Sequence, residues 1–267
     1  MRDVQRFTSL LDEMIEAADT AYTHAMQTMT RDERSADIGL GGDGTPTMFL
    51  DQHVEEPVLR ILEKYGVNVL SEEIGWIDRG SAITAVIDPV DGTANSAAGV
   101  PLSAFGAAIV IDDVIVESSC AWLGTKYRWN AHIDDAVRPA VTPQKSLMGS
   151  SLSLLRPRPQ TWTGWSELAT AADRIRILGT SVLEGCLVAD GAIDAFCDPG
   201  GDIHRIVDVA PIVLIVEKAG GVVRDAFDRP FHFEPDLTLR WSGVFAATPE
   251  LASDICEVLQ RHRNETK

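Results

Sequence analysis

An α/β fold is predicted by three features of the sequence. Short apolar runs at Val67–Leu70 and Ala82–Ile87 suit strands buried on both faces. Further along, helix Trp162–Ala172, strand Arg174–Leu178, helix Thr180–Ala189, strand Ala192–Cys197 and helix Ile206–Ala219 alternate. Such alternation belongs to a layered α/β unit. Third, the segment from Arg2 to about Met29 sets Val4, Phe7, Leu11, Met14, Ile15 and Ala18 at the spacing of an amphipathic helix.

The other elements follow in chain order. Asp32 to Gly44 is polar and glycine-rich and ends in Asp43-Gly44, a hairpin signal, so a mobile flap is expected there. A helix from about Asp51 to Tyr65 leads into the Val67 strand. Runs at Ala104–Ile111, Val114–Trp122 and Tyr127–Ala131 predict an antiparallel meander. The Pro-rich passage Arg138–Pro159 marks a transition between an N-terminal α+β half, residues 1–140, and a C-terminal α/β half, residues 141–267. Thr248 before Pro249 starts a last helix that runs to about Arg261.

The chemistry concentrates in Ile87-Asp88-Pro89-Val90-Asp91-Gly92-Thr93. Pro89 forbids helix for the residue before it and removes a donor, so Asp88 and Asp91 sit on a rigid turn where a strand ends. Gly92 and Thr93 offer backbone N–H groups where a helix could begin, and such a terminus attracts phosphate. The Val67 run delivers Glu72 and Glu73 in the same way, and ligand sites of α/β folds lie at the carboxyl ends of strands. Hard oxygen ligands beside an anion seat suit Mg²⁺, which shares its shell with water and substrate phosphate. The same six residues also read as a plain surface turn, since Asp, Pro and Gly are common turn residues. It is the two acid-ended strands together that favour a metal site.

These segments resemble the inositol monophosphatase family, which includes archaeal-type fructose-1,6-bisphosphatases and adenosine 3′,5′-bisphosphate phosphatases. The resemblance runs from about residue 40 to the C-terminus. It is carried by Gly44-Thr45-Pro46-Thr47 with Asp51, Ser71-Glu72-Glu73-Ile74-Gly75, Asp88 to Thr93 with Asn95, Leu178-Gly179-Thr180, Asp208-Val209-Ala210 and Glu217-Lys218-Ala219-Gly220-Gly221. It implies a layered α/β/α/β/α sugar-phosphatase fold, usually a homodimer. It also implies two or three Mg²⁺ held by Glu72, Asp88, the Val90 carbonyl, Asp91 and Asp208. Glu72, Thr93 and Asp51 would be catalytic, and Asp91, Gly92 and Thr93 would seat the phosphate. Ser181, Asp198, Asp202 and Arg205 would face the substrate. The chain departs from the family in three places: no lysine precedes Lys64, Gly200 stands where archaeal-type relatives carry an arginine, and Pro211 replaces a small residue.

Haloacid dehalogenase phosphatases also display an Asp-x-Asp-Gly-Thr signature, with the first Asp as a covalent nucleophile near the chain start. Here Asp88 comes late, a proline follows it and two residues separate the aspartates, all of which argue against an aspartyl-phosphate. The expected reaction is therefore phosphate monoester hydrolysis by metal-activated water, on inositol monophosphate or a related sugar or cyclitol phosphate. A fructose-1,6-bisphosphatase or nucleotide phosphatase on the same fold is the alternative, and a non-catalytic phospho-ligand sensor is a third reading. Asp198 and Asp202 read equally as polyol acceptors or as turn residues.

Charge and targeting bound the partners. With 40 Asp plus Glu against 23 Lys plus Arg, the formal charge is −17. Such a surface repels nucleic acid and anionic membranes, so neither is an expected partner. A small phosphorylated substrate would be repelled as well unless bound cations reverse the local field. No apolar run is long enough for a signal peptide or a membrane span, which predicts a cytoplasmic protein. Cys120, Cys186, Cys197 and Cys256 lack metal-site spacing and read as reduced core residues.

Overall fold

The computed structural model describes residues 6–263, so the start of the predicted helix at Arg2 and Val4 lies outside the described residues. The amphipathic pattern becomes α1 (Thr8–Thr28), which buries Leu10, Leu11, Met14, Ile15 and Ala18. A single turn, α2 (Arg31–Arg34), precedes a hairpin of β1 (Asp37–Leu40) and β2 (Pro46–Met48), closed around Asp43-Gly44 as the turn signal predicts. Next comes α3 (Phe49–Tyr65), which buries Leu50, Val54, Val58 and Leu62 along one stripe.

Two sheets carry the fold. The first is built from β3 (Asn68–Ser71), β4 (Gly75–Ile77), β5 (Ile83–Asp91), β6 (Ala104–Ile111), β7 (Val114–Trp122) and β8 (Arg128–His132), in the order β4-β3-β5-β6-β7-β8. Only β3 and β5 are parallel neighbours, and α4 (Thr93–Ala98) follows β5 directly. The second sheet is built from β9 (Ser151–Leu154), β10 (Arg174–Arg176), β11 (Ala195–Cys197), β12 (Val222–Asp225) and β13 (Gly243–Ala246), in the order β10-β9-β11-β13-β12. Here β10, β9 and β11 run parallel, so their carboxyl ends share one edge. The segment between β8 and β9 has no regular secondary structure.

Side-chain alternation shows how the layers stack. In the first sheet Ala85, Ile87, Phe105, Ala107 and Ile109 join the cluster with α1 and α3. Their neighbours Val86, Ala108 and Val110 pack on Ile206, Val207 and Ala210 of α7 (Ile206–Lys218). Beside α7 lies α6 (Ser181–Ala189), whose Val182, Leu183 and Cys186 share a cluster with Cys120 of the first sheet and with Phe196 and Phe245 of the second. The far face of the second sheet is covered by α5 (Trp162–Ala171) and α8 (Pro249–Arg263), through Leu168, Leu251, Ile255 and Leu259. The sequence Ile-Val-Asp-Val-Ala-Pro-Ile-Val-Leu-Ile-Val of α7 is apolar nearly all round because sheets flank the layer it occupies. The result is an α/β/α/β/α stack.

One irregularity in this stack matters for the site. Along β5 and β6, Asp88 pairs with Gly106 and Asp91 pairs with Ala104, so three steps on β5 oppose two on β6. This is a bulge at Pro89-Val90, where a proline is tolerated because the ladder is already interrupted. In a regular strand, residues three apart point to opposite faces. The extra residue puts Asp88 and Asp91 on the same face, the one turned toward α6 and α7.

Gly106, opposite Asp88, has a second consequence. A Cβ there would lie 3.0 Å from Pro211 Cβ and Cγ and 3.0 Å from Val182 Cγ2, so the missing side chain makes room for the proline inside α7. Gly106→Ala should therefore destabilise the protein by about 1–3 kcal/mol, the usual cost of overpacking. Adding Pro211→Ala to that variant should recover part of the loss. Chemical denaturation of both single variants and the double variant measures the coupling. Strict additivity would show that the two positions do not share this space.

Candidate functional site

Five segments bring acids to one place, each for a local reason. The parallel register of β3 and β5 sets Ser71 against Ile87, which places Glu72 beside Asp88 as the strands end. The bulge turns Asp91 to the same face. Asp51 and Asp208 are the third residues of α3 and α7, and each folds back on the amide that precedes its helix. Met48 N donates to Asp51 Oδ2 at 3.2 Å, and Arg205 N donates to Asp208 Oδ2 at 2.6 Å. Acids belong in a first helical turn, where they satisfy orphan donors and face the positive end of the dipole. The fifth segment is the hairpin, whose Asp43 reaches Arg205 at 2.8 Å.

Asp91 also ties the two sheets' halves together. Its Oδ2 accepts from the Thr180 hydroxyl at 2.7 Å and from Val182 N at 2.5 Å, so it caps the first turn of α6 from a distant strand. Gly92 follows with φ 88°, a backbone that side chains avoid. A Cβ there would meet the Leu102 carbonyl oxygen at 2.7 Å. Thr93 opens α4, and its hydroxyl lies 2.7 Å from Asp51 Oδ1 and 2.9 Å from the Val90 carbonyl oxygen.

The electrostatics are those of acids crowded out of water. One carboxylate oxygen each from Glu72, Asp88 and Asp208 lie within 4.8 Å of one another. Asp88 is 1% exposed, and neither of its oxygens has a hydrogen-bond partner. Burial pushes Asp88 well above the usual carboxylate range, and repulsion from Glu72, Asp91 and Asp208 adds to it. Burial and Asp208 push Asp91 up to about 8. Burial also lifts Glu72, only partly offset by Arg205. For Asp208 burial works upward as well, but the Arg205 guanidinium outweighs it and the net direction is down.

Arg205 is the cation this cluster holds. It donates to Asp208 through Nη2 at 2.9 Å and Nε at 3.1 Å, and its Nη1 reaches Glu72 at 2.5 Å as well as Asp43. It leaves Asp88 untouched. A buried carboxylate with both oxygens unpartnered, next to two more acids, is a donor set of hard oxygens that fits a divalent cation such as Mg²⁺. Burial raises Asp51 to about 7 and Glu73 to about 8, and Thr93 and Thr47 respectively donate hydrogen bonds that work against the shift.

A cavity of about 460 Å³ opens beside these acids. Asp91, Asp208, Ser181, Asp202 and Arg205 are on its wall. Asp198 is not on that wall. It is fully buried, and its two oxygens accept from Gly201 N and Ile203 N at 2.8 Å each, which is a turn-forming role. Asp202 lines the cavity, but its Oδ1 is engaged by Arg229 at 2.5 Å and by the Ser242 hydroxyl at 2.8 Å. Sequence reasoning missed Arg156, Arg158, Ile177 and Arg240 on the wall. The first two follow β9, which lies within the passage read as a mere transition; the short apolar alternation of Leu152 and Leu154 was the available signal.

Known proteins resemble this chain over most of its length. The model of the inositol monophosphatase family matches residues 8–264. A fructose-1,6-bisphosphatase/inositol-1-monophosphatase of Thermococcus kodakarensis is 30% identical over 230 residues, which cover 84% of this chain and 86% of the relative. One of the same name from Archaeoglobus fulgidus is 32% identical over 209 residues, covering 75% and 79%. A crystal structure of an inositol monophosphatase-fructose 1,6 bisphosphatase superposes with a TM-score of 0.84 at 24% identity, covering 95% of this chain and all of that one, a likeness of fold. The chain belongs to the inositol monophosphatase family, whose metal-dependent members hydrolyse phosphate monoesters.

Proposed function

We propose that the protein is a Mg²⁺-dependent phosphomonoesterase that cleaves a sugar or cyclitol phosphate, inositol monophosphate being the reference substrate. The observation that carries this reading is the unpartnered, buried carboxylate of Asp88 amid Glu72 and Asp208, beside a cavity large enough for such a molecule. When bound, Mg²⁺ held by Glu72, Asp88, Val90, Asp91 and Asp208 would activate water and neutralise charge on the phosphate and the leaving oxygen. Two or three ions are expected from the family resemblance.

The chain's own groups supply positioning and proton transfer. Asp51, with its pKa near 7, suits a general base at neutral pH. The Thr93 hydroxyl, donating to Asp51 Oδ1, would orient the attacking water and pass its proton to that oxygen. The water oxygen forms the new bond to phosphorus as the bond from phosphorus to the ester oxygen breaks, and that oxygen leaves with the electron pair and takes up a proton from solvent water. Gly92 and Thr93 backbone amides, with Asp91 beside them, would seat the phosphate, and Ser181 would lie against the alcohol. The work is in-line positioning and electrostatics, without a phosphoenzyme. A homodimer in the cytoplasm completes the proposal, on the family resemblance and on four buried, unbridged cysteines.

Release of phosphate from inositol 1-phosphate, fructose 1,6-bisphosphate, adenosine 3′,5′-bisphosphate and histidinol phosphate, with Mg²⁺ and with chelator, tests the assignment. Mg²⁺-dependent release from at least one sugar or cyclitol ester is expected; silence on all four would favour a phospho-ligand sensor. Asp91→Asn should retain the circular dichroism spectrum and lose at least about 100-fold in kcat/KM, the order for removing a central electrostatic group. Near-normal turnover would remove Asp91 from the site. A pH test follows from the raised carboxylates. Because ligands bind metal deprotonated and Asp91 holds its proton up to about pH 8, lowering the pH below 8 should weaken Mg²⁺ binding. Calorimetry at pH 6.5 in buffers of different ionisation enthalpy should then show protons released on binding, and fewer at pH 9; no release at either pH would contradict the raised values.

A further inference from the structure

We infer that Glu184, a residue of α6 that is not on the cavity wall, is a positioning residue: it fixes the segment Leu178-Gly179-Thr180 and, through Thr180, the orientation of Asp91. The inference deepens the phosphatase reading and rests on it for the consequence at the metal. The contacts themselves stand apart from that reading.

Glu184 is fully enclosed, and its carboxylate accepts three hydrogen bonds. Oε1 accepts from the Ser153 hydroxyl of β9 and from Leu178 N at 3.3 Å, while Oε2 accepts from Thr180 N at 3.2 Å. Backbone amides can only donate, and these two take one oxygen each, so both oxygens have to accept. A glutamine would turn its NH₂ toward one of the amides and leave that donor unpaired. Burial raises Glu184 to about 7, and the three donors work against the shift. The position thus calls for a carboxylate where burial disfavours one, and what the carboxylate secures is a segment of three residues.

That segment matters for what it touches. Its Thr180 hydroxyl donates to Asp91 Oδ2 at 2.7 Å, beside Val182 N. Asn95 Nδ2, from α4, donates to the Leu178 carbonyl at 2.8 Å and to the Leu102 carbonyl at 2.9 Å, so the segment is clamped from the first half as well as from α6. Gly92 lies against it: a Cβ there would stand 3.2 Å from Thr180 Cβ and 3.3 Å from the Gly179 carbonyl oxygen. Asp91 and Gly92 therefore rest on a surface that Glu184 holds in place. Outer partners that orient a ligating carboxylate are worth about 10- to 100-fold in metal affinity.

Amide hydrogen exchange and Mg²⁺ calorimetry on the full chain test this in Glu184→Gln, Thr180→Val and the double variant. Val182 N lies in the first turn of α6, where no helical carbonyl is available, so its exchange reports the bond to Asp91. In Glu184→Gln that exchange should quicken at least about tenfold and Mg²⁺ should bind about tenfold more weakly. Thr180→Val should cost as much affinity, and adding Glu184→Gln to it should change the affinity less than about threefold, because both act through one contact. Ser153→Ala, which removes one donor and keeps the acid, carries the same test at smaller amplitude should Glu184→Gln fail to fold. Leu168→Ala, in the cluster on the far face of the second sheet, should lower the melting temperature yet leave Val182 exchange and Mg²⁺ affinity within about twofold. Unchanged Val182 exchange in Glu184→Gln, losses that multiply in the double variant, or an equal loss in Leu168→Ala would overturn the inference. A wild type that takes up no Mg²⁺ would sink the metal reading, and the exchange result alone would then decide the role of Glu184.

Discussion

The structure depends on a charge problem: carboxylates that cannot all be ionised and buried together without a cation. Asp88 illustrates it, being fully enclosed with both oxygens unpartnered and with Glu72, Asp91 and Asp208 around it. An unpaired charge taken out of water costs several kcal/mol, so such an arrangement persists only with protons or positive charge to offset it. Arg205 supplies one such charge, bonded to Asp208 and Glu72, but it does not reach Asp88. The remaining demand is one that a divalent ion would meet. The raised carboxyl groups and the proposed chemistry are therefore two sides of one arrangement.

Much of the architecture serves to assemble that arrangement from pieces far apart in the chain. The parallel pairing of β3 and β5 sets Glu72 beside Asp88, and the bulge at Pro89-Val90 brings Asp91 to the same face. Two helix starts contribute Asp51 and Asp208, while Asp91 caps α6. Helices α6 and α7 lie between the sheets, so the acids from the first half and Asp208 from the second are held by the same packed layer. Proline at position 211 is compatible with this layer because Gly106 leaves the space. Loosening one contact in the layer would shift more than one of these acids.

Most of the site and the main elements were legible in the sequence, because each rests on a local signal. Acid-ended apolar runs marked Glu72 and Asp88, and α1, α3, α6 and α7 were long enough to show their periodicity, whereas Pro89, expected in a turn that ends the strand, lies at a bulge within β5. What escaped was short or non-local. Strands β4, β9, β12 and β13 have three or four residues each, too few to show a period, and β9 lay hidden in a Pro-rich passage. Missing β9 meant missing Arg156 and Arg158, since their meaning comes from the edge on which that strand ends. Asp198 looked like a substrate contact from its place in the chain, yet its oxygens close a turn on Gly201 and Ile203. A composition of Asp, Pro and Gly does not reveal which way a carboxylate points.

Thermal unfolding of the wild type and of Asp88→Asn, each with and without saturating Mg²⁺, tests the charge problem most directly. Metal-free Asp88→Asn should be more stable than the metal-free wild type, because folding the wild type must either protonate Asp88 or bury its charge against Glu72, Asp91 and Asp208, and asparagine avoids both costs. Mg²⁺ should raise the melting temperature of the wild type, because a ligand that binds only the folded state stabilises it, and should leave Asp88→Asn nearly unmoved. A wild type indifferent to Mg²⁺, with an Asp88→Asn variant no more stable than its parent, would contradict the view that these carboxylates are assembled around a cation.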